Sequence, residues 1–422
     1  MVKTDFFSIS DRVQALSDKA IKKAEAQFAE IEKIGEYNQQ KVLAAFVKNK
    51  VAQADLFGST GYGYGDRGRD KLDAVYADAF GAEDAIVRHS FTCGTHTLGI
   101  ALFGLLRPGD VMLCVTGKPY DTIQPVIGLS GSGMGSLKEF GVKYEQVELD
   151  EKGEPDLKGI KRAVNEIKPR MVYIQRSRGY SLRPSLSVEK ISEIAEIAHS
   201  EPGTIVMVDN CYGEFVEKTE PTQAGANVMA GSLIKNAGGG IARTGGYIAG
   251  KKELVELCSY RATVPGLGKE VGCTLGENHN MFAGIFNSPA AVTSALKTAV
   301  FAAALFEEAG YRVTPSSGET RRDIIQSLCL ENEERLCAFC KGIQSGSPID
   351  SFVSPEPWDM PGYDNKVIMA AGTFVLGSSI ELSADAPLRE PYAVWMQGGL
   401  NFASGKTAVM LAADRLEREG LL

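Results

Sequence analysis

Between about residues 84 and 250 the chain alternates two textures. Short runs that are almost wholly apolar ("DAIVRHSF", "DVMLCVT", "VKYEQVEL", "RMVYIQRS", "TIVMVDN", "VMAGSLIKN", "TGGYIAG") are separated by others with helical spacing ("GTHTLGIALFGLL", "GMGSLKEFG", "LKGIKRAVNEI", "VEKISEIAEIAHS"). A strand apolar on both sides leaves no face for water, so helices must cover both faces of its sheet. Helices placed between such strands carry the chain back over the sheet and make neighbours mostly parallel. The alternation predicts a doubly wound α/β domain, a class that gathers its ligands at the carboxyl edge of the sheet.

The flanks read differently. Residues 10 to 56 repeat apolar positions at three- and four-residue spacing, which predicts an amphipathic helical arm interrupted near Gly35. "FGSTGYGYGDRGRD" must then be loop. Past about residue 285 comes a long helix, "SPAAVTSALKTAVFAAALFEEAG", then the strand-like "YRVTPS", "SFVSPEP" and "NKVIMAAGTFV", and a final helix ending in "AVMLAADRLE". Strands beside helices without strict alternation predict a smaller α+β domain. The expected organisation is an arm over 1–60, a large α/β domain over 61–285 and a small C-terminal domain over 286–422.

A formal net charge of −8 with no basic stripe makes nucleic acid and acidic membrane surfaces poor partners. The first residues lack an apolar signal core, and no stretch reaches the roughly 20 uninterrupted apolar residues of a membrane span, so a cytoplasmic protein with a small-molecule ligand is expected. Of eight cysteines only Cys337 and Cys340 form a CxxC, with no second pair or histidine to complete a zinc site, and buried thiols are expected there. His89, His96, His199 and His279 do not cluster with metal-ligand spacing, so no metal is expected.

Chemistry centres on "GSLIKNAGGG", which sets Lys235 among small and apolar residues with no acidic neighbour in sequence. Such a setting predicts a lysine of lowered pKa, able to act as nucleophile and base. Asp209 closes the apolar "TIVMVDN" at the carboxyl edge of the expected sheet, 26 residues earlier. A lysine for a Schiff base, an acid for the ring nitrogen, a stacking aromatic and donors for a phosphate are what pyridoxal 5'-phosphate requires. The backbone N–H groups of Gly94 and Thr95, in "SFTCGTHTLG" at a helix start, suit a phosphate dianion, and Ser232 can add a hydroxyl. Tyr120, in "VTGKPYDT" just past a strand, is the stacking candidate, with His96 as another.

One competing motif fails. Gly63, Gly65 and Gly68 satisfy GxGxxG ahead of a helix, but a helical stretch precedes them where a dinucleotide site needs a strand.

The order of "CGT", "GKPYDT", "VDNCYGEF" and "SLIKNAGGG" resembles the fold-type I pyridoxal phosphate enzymes of cysteine and methionine metabolism, the group that holds methionine gamma-lyase and cystathionine beta-lyase. "GYGYGDRGRDKLD", "RHSFTCGTHTL", "GSLIKNAGGGIA" and "PYAVWMQGGLNF" resemble its aluminium resistance branch over nearly the whole chain. The resemblance implies an aspartate-aminotransferase-like fold, Lys235 as the Schiff-base lysine, Asp209 as the pyridinium partner, and Cys93, Gly94, Thr95 and Ser232 around the phosphate. It implies that Tyr120 stacks on the ring and that Tyr62 or Tyr64, with Arg67, reach the phosphate of a neighbouring subunit, in a homodimer or a homotetramer of two dimers. The reaction implied is β- or γ-elimination from cystathionine, cysteine or methionine, with γ-replacement, transamination or a non-catalytic stress-response role as rivals. Two stretches depart from the family. Glu381 stands where an arginine usually grips the substrate carboxylate, leaving Arg389 to do so, and "YIQRSRGYS" carries Arg176 and Arg178 in place of an acidic, amide-rich turn, one of the two being expected to contact the cofactor's phenolic oxygen or the substrate carboxylate, with Arg178 as the second substrate candidate.

Overall fold

A computed structural model describes residues 6–360 and 365–422. The chain forms two compact units: Tyr37–Ser288, and the residues up to Glu36 together with Pro289–Leu422.

The Tyr37–Ser288 unit is built on seven strands: β1 (Asp84–Arg88), β2 (Val111–Cys114), β3 (Lys143–Gln146), β4 (Met171–Gln175), β5 (Ile205–Asp209), β6 (Val228–Ser232) and β7 (Gly246–Gly250). Their order is β1-β7-β6-β5-β4-β2-β3. From β3 across to β6 every pairing is parallel, and β7 runs antiparallel to both β6 and β1. The exception has a local cause: β6 and β7 are joined without a crossover helix, only by a 3-10 turn at Asn236–Gly238, so the chain doubles back. Every residue of β4, β5, β6 and β7 is buried, as the apolar runs require. On one face Met112, Met171, Tyr173, Met207, Ala230 and Ile248 pack with Leu98, Ala101 and Leu102 of a helix over Gly94–Leu105.

β2 continues outward to β3, and the chain then returns to lay β4 on its other side. That reversal makes the carboxyl ends of β2 and β4 a switch point, where open α/β sheets leave a crevice. Register brings Gln175, Asp209 and Ala230 level across β4, β5 and β6.

The other unit carries an antiparallel sheet of β8 (Arg312–Thr314), β9 (Ile325–Cys329), β10 (Val367–Ala370), β11 (Ser383–Pro387) and β12 (Ala393–Gln397), in the order β10-β11-β12-β9-β8. Helices Glu333–Ser345 and Phe402–Arg418 supply Leu336, Phe339, Ile343, Val409 and Leu416 to its core, which also buries Cys340.

Three expectations need correction. Gly35 does not interrupt the first helix, which runs unbroken over Asp11–Lys48. A Cβ there would lie 2.1 Å from the Thr293 hydroxyl, so the glycine permits close helix packing. "GMGSLKEFG" is turns, with Gly133 and Gly135 at φ of +74° and +73°, and "SFVSPEP" forms no strand. Among the described residues one helix, Asn278–Glu308, is long and apolar enough to cross a membrane, and 83% of its most apolar window is buried inside the protein.

Candidate active site

Residues that leave the sheet at its carboxyl edge collect around Lys235. Asp209 ends β5, Ser232 ends β6, and Lys235 follows three residues later. The helix Gly94–Leu105 begins beside them: a Cβ on Gly94 would sit 3.4 Å from the Ser232 Cβ and 3.8 Å from the Cys211 sulfur. Gly94 and Thr95 open that helix, so their N–H groups have no acceptor within it and carry the positive end of its dipole. The Ser232 side chain is buried, and its Oγ has no hydrogen-bond partner among the described residues. A buried hydroxyl left unpaired costs about 1–3 kcal/mol. Orphan hydroxyl and helix start together fit an anion of phosphate chemistry. Cys93 has a local role, since its sulfur accepts the His96 N–H at 3.3 Å and caps the helix. Thr95 Oγ1 lies 2.7 Å from Thr122 Oγ1.

Asp209 is buried, and burial pushes its carboxyl above the usual carboxylate range. The Lys235 charge, the backbone N–H and thiol of Cys211, and the Arg183 charge work against that shift. The Cys211 N–H reaches Asp209 Oδ1 at 3.1 Å. Lys235 Nζ stands 4.1 Å from the centre of the Tyr212 ring. Burial alone would lower the lysine pKa, but the acidic groups Cys211, Tyr212, Asp209 and Glu214 outweigh it and hold the pKa above the ordinary value. The expectation of a depressed lysine fails here: acids distant in the chain are brought in by the end of β5 and the turns that follow it. Nor are the glycines that follow there for flexibility. A Cβ on Gly238 would fall 1.8 Å from the Leu233 carbonyl oxygen, and one on Gly239 would fall 2.4 Å from that of Gly284.

Tyr120 follows β2, and its N–H donates to Gln175 Oε1 at 2.7 Å, which fixes the tyrosine at the switch point. Its ring meets Tyr180 edge-on, with centroids 6.0 Å apart. His96 Nδ1 accepts the Thr92 N–H at 3.1 Å.

Tyr62 and Tyr64 are exposed and stack on one another at 5.5 Å, and the exposed Arg67 pairs with Asp55 at 2.7 Å. Arg178 is buried, with Nε 3.4 Å from the Ser185 hydroxyl. Arg176 is fully committed to structure: it donates to Asn210 Oδ1 at 2.8 Å and to the Gly213 carbonyl at 2.9 Å, and pairs with Glu217 at 2.8 Å. A contact from it to a ligand is excluded by these bonds. Arg389 is exposed, in the turn between β11 and β12 of the other unit. Glu381 accepts the N–H groups of Phe374 and Val375, each at 2.8 Å, so the carboxylate at that departure ties down a loop.

Four neighbours escaped the sequence reading: Gln175, Cys211, Tyr212 and Glu214. Three lie in "VDNCYGEF", and Tyr212 takes a φ of +71°, a strained conformation of the kind that gathers at functional sites. Their proximity to the aspartate was the available signal.

Residues 13–417 match the methionine gamma-lyase family. The carbon-sulfur lyase involved in aluminum resistance from Clostridium novyi NT is 51% identical, with a TM-score of 0.93 over 97% of this chain and 96% of that one. The uncharacterized protein YnbB of Bacillus subtilis (strain 168) is 47% identical over 395 residues, 93% of this chain and 94% of its own. The pyridoxal-5'-phosphate dependent protein YhfS of Escherichia coli, at 15% identity, shares the fold with a TM-score of 0.63 over 92% of this chain and 97% of that one. The fold is that of the fold-type I enzymes, and the chain belongs to the methionine gamma-lyase family.

Proposed function

We propose that this chain is a pyridoxal-5'-phosphate-dependent carbon–sulfur lyase that acts on a sulfur amino acid by β- or γ-elimination, giving a keto acid, ammonia and a thiol. The observation that carries the reading is the gathering of Lys235 and the buried Asp209, each favouring the charge of the other, beside an orphan Ser232 hydroxyl and a helix start. Bound there, the cofactor supplies an electron sink at the carbon that bears the substrate amino group.

The chain's own residues do the rest. Ser232 Oγ and the N–H groups of Gly94 and Thr95 hold the phosphate. Burial works against the Asp209 charge, so the carboxylate would gain from an opposite one, and a protonated ring nitrogen would both stabilise it and be stabilised by it. Lys235 would hold the aldehyde carbon, and its amine, once displaced by the substrate amine, would take the α-proton. Because its acidic neighbours favour the ammonium form, the amine is a ready proton acceptor that keeps what it takes. Tyr120 would stack on the ring and supply a proton to the departing sulfur. Arg178 and Arg389 are the candidates for the substrate carboxylate. Tyr62 or Tyr64, with Arg67, all exposed in one chain, would complete the phosphate site of a second copy, in a homodimer or larger assembly.

Purified protein supplied with pyridoxal 5'-phosphate is assayed for keto acid with L-cystathionine, L-cysteine and L-methionine. Release from one of them, lost in Lys235→Ala, is expected and separates β- from γ-elimination. A coloured protein that releases keto acid from none of the three would overturn the lyase reading.

A further inference from the structure

Behind the lysine, on the opposite side of β6 from Ser232, lies a carboxyl that the reaction above does not use. Glu214 is wholly buried. One of its oxygens accepts the Tyr247 hydroxyl at 2.8 Å, and the other, Oε2, has no hydrogen-bond partner among the described residues. Room for it is made by a glycine: a Cβ on Gly231 would fall 2.5 Å from Glu214 Oε1 and 2.7 Å from the Tyr247 ring. Receiving one tyrosine hydroxyl does not require an acid, since a neutral amide would do so without the cost of burying a charge. The arrangement makes sense if the carboxyl answers to a positive charge nearby.

Lys235 is the cation that acts on it: the lysine charge draws the Glu214 carboxyl down, and the carboxyl draws the lysine up. Asn236, the next residue, donates its side-chain N–H to the Glu214 backbone carbonyl at 3.1 Å, and its own carbonyl accepts the Ser288 hydroxyl. The following carbonyl, of Ala237, accepts the Tyr76 hydroxyl at 3.0 Å. The segment that carries the lysine is thus anchored to the glutamate and to the wall of tyrosines around it. We propose that Glu214 is a positioning residue for Lys235, which fixes the lysine segment through its backbone and sets, through its carboxyl charge, the pH at which Lys235 gives up its proton.

The other titratable and charged groups around the pair are Tyr247 from β7, Tyr76 from the helix Arg67–Phe80, Glu220 beyond it in the chain, Asp209, Cys211 and Tyr212 before it, and Arg183, whose charge acts on Asp209. Lys41 and Arg176 face Glu220, at 4.0 and 3.9 Å, so that carboxylate has cations of its own, and Glu214 acts on Lys235 together with Cys211, Tyr212 and Asp209. Burial pushes the Glu214 carboxyl up to about 8, with the Tyr247 hydroxyl and the Lys235 charge pulling it down. Above that pH it is an anion beside the lysine, and Lys235 stays protonated further into the alkaline range.

The proposal rests on Lys235 being the reactive amine of the site, and its test has one arm that needs no cofactor. The rate at which a small amine reagent modifies Lys235 is followed by peptide mass spectrometry from pH 7 to 11, in wild type and Glu214→Gln. The visible absorbance of the same proteins loaded with pyridoxal 5'-phosphate is titrated alongside. Loss of the carboxylate is expected to move the Lys235 midpoint down by about one pH unit in the first arm, with a shift of the same sign in the second. An unmoved midpoint in a variant with wild-type circular dichroism overturns the proposal. Should Glu214→Gln not fold, Tyr247→Phe serves: it keeps the ring, removes the donor that favours the Glu214 anion, and must move the midpoint the same way, or the proposal fails. A protein that takes no colour in the second arm defeats the cofactor assignment, and the first arm still decides the role of Glu214.

Discussion

Asp209 and Lys235 leave the carboxyl ends of adjacent parallel strands, and each carries the charge that favours ionisation of the other. In a site this buried, neither charge stands without a partner. Asp209→Asn keeps the shape and removes the anion, so it leaves Lys235 with fewer acids around it and the ring nitrogen without a counter-charge. Turnover is expected to fall by about 10²–10³-fold, the scale for losing one preorganised electrostatic group, while cofactor still binds. Steady-state kinetics beside an absorbance titration check this.

Ser232→Ala separates cofactor binding from folding. Deleting a buried hydroxyl that has no partner removes a desolvation cost, so the cofactor-free protein should be as stable as wild type or more so. Affinity for pyridoxal 5'-phosphate should fall by about 10- to 100-fold, as one hydrogen bond to a charged group is lost. Denaturant melts without cofactor and binding titrations with it should move in opposite directions.

Stability should decline as the solution is made more alkaline from about pH 5 to 8. Glu214 and Asp209 are acids whose folded-state pKa is raised, Glu214 to about 8. The folded protein therefore holds protons that the unfolded chain has already released, and stability drains away between the unfolded and folded pKa values. Glu214→Gln cannot ionise and should show a flatter profile over that range. Chemical denaturation at a series of pH values measures the difference.

Gly238→Ala tests why the glycines follow the lysine. With a Cβ placed 1.8 Å from the Leu233 carbonyl, the turn must open, and a loss above the usual 1–3 kcal/mol of an overpacked core is expected. Gly318→Ala, with open space around its Cβ, is the control that should leave the unfolding midpoint in place.

The sheet, its mostly parallel order and the position of Asp209 were legible because buried strands and amphipathic helices differ in apolar period. That Lys235, Ser232 and the helix start at Gly94 come together at the carboxyl edge could be read from the strand ends and the helix start that carry them. What escaped was set by contacts between segments far apart in the chain. The charge on Lys235 depends on Glu214 and Asp209, 21 and 26 residues earlier, so sequence neighbours suggested a depressed pKa where the fold produces a raised one. Gly35 looked like a break because helix propensity is local, whereas the need for it lies in Thr293. Arg176 looked available for a ligand, and only the fold shows its guanidinium enclosed by Asn210, Gly213 and Glu217.

The central claim is that Lys235 carries the cofactor. Protein loaded with pyridoxal 5'-phosphate is reduced with borohydride, digested and sequenced by mass spectrometry. The account predicts one pyridoxyl adduct, on Lys235, and none in Lys235→Ala treated identically. An adduct on a different lysine, or no adduct in the wild type, would contradict it.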